Sequence, residues 1–195
     1  MRRRFDAIVV ALSLAVSTLV ALPCVERADA KEVAGVSFPA SEEVDGKTLR
    51  LNGAGLRTRF FFQIYAIGLY VEHPATDAAT LLAADEMRRA ELHMLRSVSA
   101  SEMAEAIGEA FDANAGSDKA KLKSRLDQLK AMFPAADEGE VITLTYEPSR
   151  GTVVAAKGKE VGVIPGKDFA DVLFSAWIGA NPVDSSLKQD LLAGK

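Results

Sequence analysis

Leu51-Asn52-Gly53-Ala54-Gly55-Leu56-Arg57 runs directly into Thr58-Arg59-Phe60-Phe61-Phe62-Gln63-Ile64-Tyr65-Ala66-Ile67-Gly68-Leu69-Tyr70. Periodicity predicts one long strand over 58–72, with Phe60, Phe62, Ile64 and Ala66 on an apolar face and Arg59 and Gln63 opposite. The two glycines read as a sharp turn that delivers Arg57 to the start of that strand. They do not read as a phosphate cradle: the third glycine is missing, and a strand rather than a helix follows. Arginine cannot shed its charge, so if Arg57 points inward it needs an anion there. That pairing suggests a pocket for an apolar molecule with an acidic or carbonyl head. The plainer reading is that Arg57 braces the turn or pairs with a surface carboxylate, which would remove any ligand role. Tyr65 and Tyr70 could add hydroxyl donors. Tyr65 shares alternation parity with Arg57, but eight residues of straight strand span roughly 26 Å, so the two meet only if the strand bends or bulges.

Working outward, Val33 to Phe38 and Lys47 to Asn52 read as short strands separated by a polar turn at Asp45-Gly46. A short helix is expected over 77–84 and a strand over 88–98, with Leu92 and Met94 on one side and Glu91 and His93 on the other. Ser99-Ala100-Ser101-Glu102 is a capping box opening a helix in which Met103, Ile107, Ala110 and Phe111 recur at helical spacing. Gly116-Ser117-Asp118 interrupts, and a second helix aligns Leu122, Leu126 and Leu129 until Pro134. Three strands follow (141–146, 152–156, 160–164), then an amphipathic helix over 168–178 and a short terminal helix capped by Asp184. Strands, helices, strands, helices without regular alternation predict an α+β layer, an antiparallel sheet with helices on one face.

Residues 1–30 read as a cleavable export signal: Arg2, Arg3 and Arg4, an apolar run from Ala7 to Leu22, and small residues at Ala28 and Ala30. Residues 31–195 then form one domain, and no stable membrane span remains after cleavage. The single cysteine, Cys24, falls inside the signal, so the mature protein has no thiol, disulfide or cysteine-bound metal. An exported, cysteine-free domain fits a bacterial periplasm, with secretion to the medium as the alternative. The whole chain carries a formal net charge of −4, and the signal removes more positive than negative charge. With no basic stripe and no basic–aromatic interleaving, nucleic-acid binding is excluded.

His73 and His93, the only histidines, lack the spaced carboxylate partners of a metal site, and histidine-type triads have little material. No metal and no cofactor is expected. Phe169, Phe174 and Trp177 form an aromatic stripe on the late helix; core packing is the default, although the same residues can wall an apolar cavity.

Gly53-Ala54-Gly55-Leu56-Arg57 and Ala66-Ile67-Gly68-Leu69-Tyr70-Val71-Glu72 together resemble the paired motifs of the chalcone isomerase-like family. The likeness continues more loosely through Leu95-Arg96-Ser97-Val98-Ser99, Ala176-Trp177-Ile178-Gly179 and Ser186-Leu187-Lys188, nearly the whole mature chain. It is similar to the exported bacterial branch. The resemblance implies an open-faced β-sandwich, a large antiparallel sheet with a helical layer. In the catalytic members a phenolate adds across an enone to close a ring, and an arginine at the position of Arg57 stabilises the developing charge. A threonine of those enzymes falls on Tyr65, a tyrosine on Met103, an asparagine on Ala110 and a second threonine on Ala176. The arginine persists while three polar partners become apolar, which leaves little to orient a flavonoid.

The leading expectation is a binding protein for a fatty acid or similar apolar carboxylate. Arg57 would anchor the head with Tyr65 as its companion, and Met103, Ile107, Phe111, Phe174 and Trp177 would line the tail site. The alternative is an isomerase or intramolecular lyase on an unknown enone, with Arg57 as oxyanion stabiliser and Tyr65 as proton donor. A third reading is an envelope interaction protein that binds no ligand.

Overall fold

The computed structural model describes residues 30–194, so the expected signal, apart from Ala30, lies outside the described residues. Seven antiparallel strands form one sheet in sequence order: β3 (Ser41–Val44), β4 (Lys47–Arg59), β5 (Phe62–Val71), β6 (Arg88–Met94), β7 (Val141–Glu147), β8 (Gly151–Ala156) and β9 (Lys159–Ile164). Short hairpins link most neighbours, and the helices fill the long connections. α1 (Ala78–Ala83) lies between β5 and β6, while α2 (Ala100–Ala115) and α3 (Lys119–Met132) lie between β6 and β7. α4 (Lys167–Ile178) and α5 (Ser185–Leu191) close the chain. This is the α+β open-faced sandwich expected.

The helices bury one face. Ile67, Leu69 and Val71 of β5 and Ala90, Leu92 and Met94 of β6 meet the inner sides of α2, α3 and α4 in one apolar cluster. On the opposite face a separate hairpin, β1 (Lys31–Val33) with β2 (Val36–Phe38), covers Leu51, Ala54, Ala66 and Tyr70. Phe38 sits directly on Gly68, where an added Cβ would meet its ring at 2.6 Å. β5 is thus buried on both faces from Ala66 to Val71. Of the positions read as one apolar face, Ala66 turns to the β1–β2 side, whereas Ile67 and Leu69 meet the helices.

The largest departure from the sequence reading lies in the opening stretch. Gly53 and Gly55 are not a turn but the middle of β4, a strand of 13 residues. The expected single strand over 58–72 is instead two strands joined at Phe60-Phe61, with Arg59 paired to Phe62. Val33 to Phe38 is likewise two strands rather than one, and Asp45-Gly46 joins β3 to β4. Among the described residues, four hairpins turn on two residues of positive φ, as type I′ turns do. Three of them, Ala34-Gly35, Asp45-Gly46 and Lys157-Gly158, put glycine second, whereas the fourth uses Phe60 (φ 48°) and Phe61 (φ 69°). A left-handed conformation costs a residue with a Cβ about 1–2 kcal/mol.

α5 explains the glycines. It lies along β4 on the face shared by Gly53, Gly55 and Arg57, its C-terminal turn over Gly53 and its N-cap Asp184 beside Arg57. The buried Asn52 fastens the far end: its Nδ2 donates to the Leu191 carbonyl (2.7 Å) and its Oδ1 accepts from the Ala75 amide (2.8 Å).

Asp168 ties α3 to α4, accepting from Arg125 Nη1 (2.7 Å) and Nη2 (2.9 Å) and pairing with Lys121 (2.7 Å). The Arg125 guanidinium, followed by Lys121, holds its carboxyl well below the usual aspartate range. A carboxyl depressed in the folded state contributes stability that is fully present above its unfolded value near pH 4 and is lost as pH falls further. Asp168→Asn should therefore cost about 1 kcal/mol near neutrality, since solvent screens the pair. The deficit against wild type should shrink below pH 4 in acid-denaturation curves; a deficit independent of pH would refute the assignment.

Candidate ligand cavity

A cavity of about 520 Å³ opens between the sheet and the helical layer, at the end of β5 and β6 nearest the Phe60-Phe61 turn. Its floor is apolar and buried: Leu92, Ile107, Phe133, Leu144 and Trp177, with Met103 and Ala110 from α2. The rim is exposed and mixed, with Arg59, Phe60, Phe62 and Arg96 on the sheet side and Glu102 and Glu109 on α2. α2 is aimed at this site by its capping box, which satisfies the amides at both Ser99 and Glu102.

Arg57 and Tyr65 both line the cavity, and they are directly opposite each other in the β4–β5 pairing. The hairpin replaces the roughly 26 Å of a straight strand with a cross-strand separation of about 5 Å. The Tyr65 hydroxyl accepts from Trp177 Nε1 at 2.9 Å. Its own proton is therefore free to be donated. Burial pushes the Tyr65 phenol above its ordinary value of 10, against the lowering effects of the Trp177 hydrogen bond and the Arg57 charge. A phenol held neutral in this way donates hydrogen bonds but is a poor proton donor in the acid–base sense.

Arg57 is not unopposed. Its Nη1 donates to the Thr58 carbonyl at 2.8 Å and lies 3.4 Å from Asp184 Oδ2. The pairing that would remove a ligand role is thus present in part. It is a single, long contact between two half-buried side chains, 20% and 23% exposed, rather than a bidentate bridge on the open surface. The other oxygen of Asp184 is occupied in capping α5, accepting from the amides of Ser186 and Leu187.

Of the expected tail-site residues, Met103, Ile107 and Trp177 line the cavity. Phe111 and Phe174 do not. Phe111 packs against Phe169 (ring centroids 5.0 Å apart) between α2 and α4. Phe174 lies under the guanidinium of Arg88, which is only 2% exposed, stacked on Tyr146 and Phe174 and paired with Asp171. The Arg88 charge is met by Asp171, the Leu81 carbonyl (3.1 Å) and these two aromatic faces, and Phe174 is occupied there rather than in the cavity wall. Ala176 and Ala110, where the resemblance implied polar groups in the cyclising enzymes, line the cavity, as Met103 does. The rim arginines Arg59 and Arg96 were not anticipated. Their spacing in the sequence carries no signal, because only the hairpin brings them together.

The fold matches solved structures. One is a fatty-acid binding protein of Arabidopsis thaliana, with a TM-score of 0.63, 23% identity, and coverage of 81% of this chain and 92% of that one. No curated protein sequence matches the chain. A family model described as chalcone isomerase-like matches residues 30–193, and the chain therefore belongs to the chalcone isomerase-like family.

Proposed function

We propose that this is an exported protein that binds a fatty acid or similar apolar carboxylate, without chalcone cyclisation. The observation that carries the reading is the pairing of Arg57 with Tyr65 on the wall of a cavity whose floor is otherwise apolar. A guanidinium and a neutral phenol side by side suit a carboxylate head, and a floor of Met103, Ile107 and Trp177 suits an alkyl tail. The solved neighbour that shares the fold is described as fatty-acid binding, which supports the same ligand class. The isomerase alternative is weaker because Met103, Ala110 and Ala176 offer no polar group to position an enone, and Tyr65 is a weak acid. Export is supported by the basic, apolar and small-residue order of residues 1–30; the periplasm is the compartment proposed.

The experiment is native mass spectrometry of what co-purifies with the protein, wild type beside Arg57→Ala. A stoichiometric acidic lipid lost in the variant supports the proposal, and the polypeptide mass reports cleavage after Ala30. No bound molecule in wild type, together with no uptake of added fatty acid, would sink it. Tyr65→Phe should weaken fatty-acid binding at least about ten-fold by removing one hydrogen bond to a charged group. It also strips Trp177 Nε1 of its acceptor, so thermal unfolding should register a loss of about 1 kcal/mol. Unchanged affinity in that variant would remove Tyr65 from the head-group site.

A further inference from the structure

Phe60, Phe61 and Phe62 are 77%, 101% and 60% exposed, and among the described residues the only other exposed large hydrophobic is Val161 at 43%. The patch is not a by-product of folding. It sits on a two-residue turn whose backbone favours Asn-Gly or X-Gly, in a chain that uses X-Gly at its three comparable hairpins. Two phenylalanines held at positive φ and left in water are costly on both counts, and such strain at an exposed tip is characteristic of a functional element. Two arginines flank it: Arg59 lies over the Phe60 ring at 5.5 Å and Arg96 over the Phe62 ring at 5.0 Å. Arg59, Phe60, Phe62 and Arg96 are also the sheet-side rim of the cavity. The two carboxylates on the rim, Glu102 and Glu109, belong to α2 rather than to the hairpin, and Glu102 is engaged by Ser99.

We propose that the Phe60-Phe61 tip docks the protein on an anionic lipid bilayer, with the aromatic rings at the headgroup–acyl boundary and Arg59 and Arg96 on lipid phosphates. Phenylalanine rings beside guanidinium groups match the chemistry of a bilayer interface, where apolar rings bury at the headgroup–acyl boundary and basic side chains meet anionic lipid. Neither a small apolar wedge nor two basic residues binds firmly alone, and together they give reversible attachment. Docked this way, the cavity mouth faces the lipid, so an apolar carboxylate can pass between bilayer and cavity without crossing water. That last consequence rests on the fatty-acid reading; the docking itself does not.

The test is flotation of the purified protein with vesicles of phosphatidylglycerol and phosphatidylethanolamine, beside vesicles of phosphatidylcholine alone. Two arginines at about five-fold each predict roughly 25-fold stronger partition onto the anionic vesicles, weakening as salt is raised. Phe61→Gly fits the φ of 69° and removes the most exposed ring; it should lower partition about ten-fold. Arg96→Gln should lower it about five-fold on anionic vesicles only. Uptake of fatty acid from solution without vesicles is read separately: its failure beside intact flotation would fault the ligand reading alone. Equal flotation of wild type and Phe61→Gly would overturn the docking proposal. So would no flotation of wild type, and Phe61-dependent self-association without flotation would reassign the tip to a second copy of the chain.

Discussion

Gly53→Ala is expected to destabilise the protein by about 3 kcal/mol or more, and Gly55→Ala by about half as much. A Cβ on Gly53 would stand 2.2 Å from the Asp190 carbonyl oxygen and 2.6 Å from that of Leu191. Those are backbone atoms at the end of α5, and they cannot rotate away. They are also held in place, because Asn52 grips the Leu191 carbonyl at 2.7 Å and the Gly194 amide donates to the Asn52 carbonyl at 3.0 Å. The methyl therefore has to lift the whole helix end and break buried hydrogen bonds. At Gly55 the nearest atoms are Leu187 Cδ1 at 2.7 Å and Asp190 Cβ at 2.8 Å, and the leucine can change rotamer. Relieving glycine in a strand interior returns only about 0.5–1 kcal/mol, so the clash wins at both sites. Urea denaturation compares the midpoints; a Gly53→Ala midpoint equal to that of Gly55→Ala would mean that α5 does not rest on β4 as described.

The capped helices were the easiest part of the fold to read. Ser99 with Glu102, Asp77 and Asp184 each cap a helix where the sequence expects one, because capping is a local interaction between residues two or three apart. The α+β class followed from element order for the same reason. The glycine motif was misread because its cause is distant: a helix more than 130 residues later needs the room, and a glycine that serves a long-range contact looks like one that serves a turn. The true turn went unseen because Phe60-Phe61 carries none of the glycine, asparagine, aspartate or proline that marks a hairpin. That one omission split the site. With the turn absent, Arg57 and Tyr65 stood far apart on one strand; with it present, they are cross-strand partners. Phe111 and Phe174 were placed in the cavity by helical periodicity, which identifies an inward face but not whether core or cavity lies behind it. Only the buried Arg88, invisible to periodicity, decides Phe174.

Fatty-acid affinity is expected to fall about 10- to 100-fold in Arg57→Gln and to rise about five-fold in Asp184→Asn. The first figure is the worth of a hydrogen bond to a charged group in a partly buried site. The second follows from competition. The Arg57 guanidinium is already shared with Asp184 at 3.4 Å, so an incoming carboxylate meets a second anion beside the same cation. Two like charges about 4 Å apart repel by about 1 kcal/mol even at the dielectric of water, and asparagine removes that repulsion. Asparagine caps helices as well as aspartate does, so the bonds from the Ser186 and Leu187 amides persist and α5 stays on β4. Trp177, the only tryptophan of the chain, lines the cavity and donates to Tyr65, so its fluorescence on titration with a fatty acid reads both variants directly. Opposite signs for the two substitutions mean that Arg57 is an anchor held in reserve by Asp184. Equal losses in both would mean that the ion pair is a brace for α5, and that the arginine the sequence singles out serves the fold rather than a ligand.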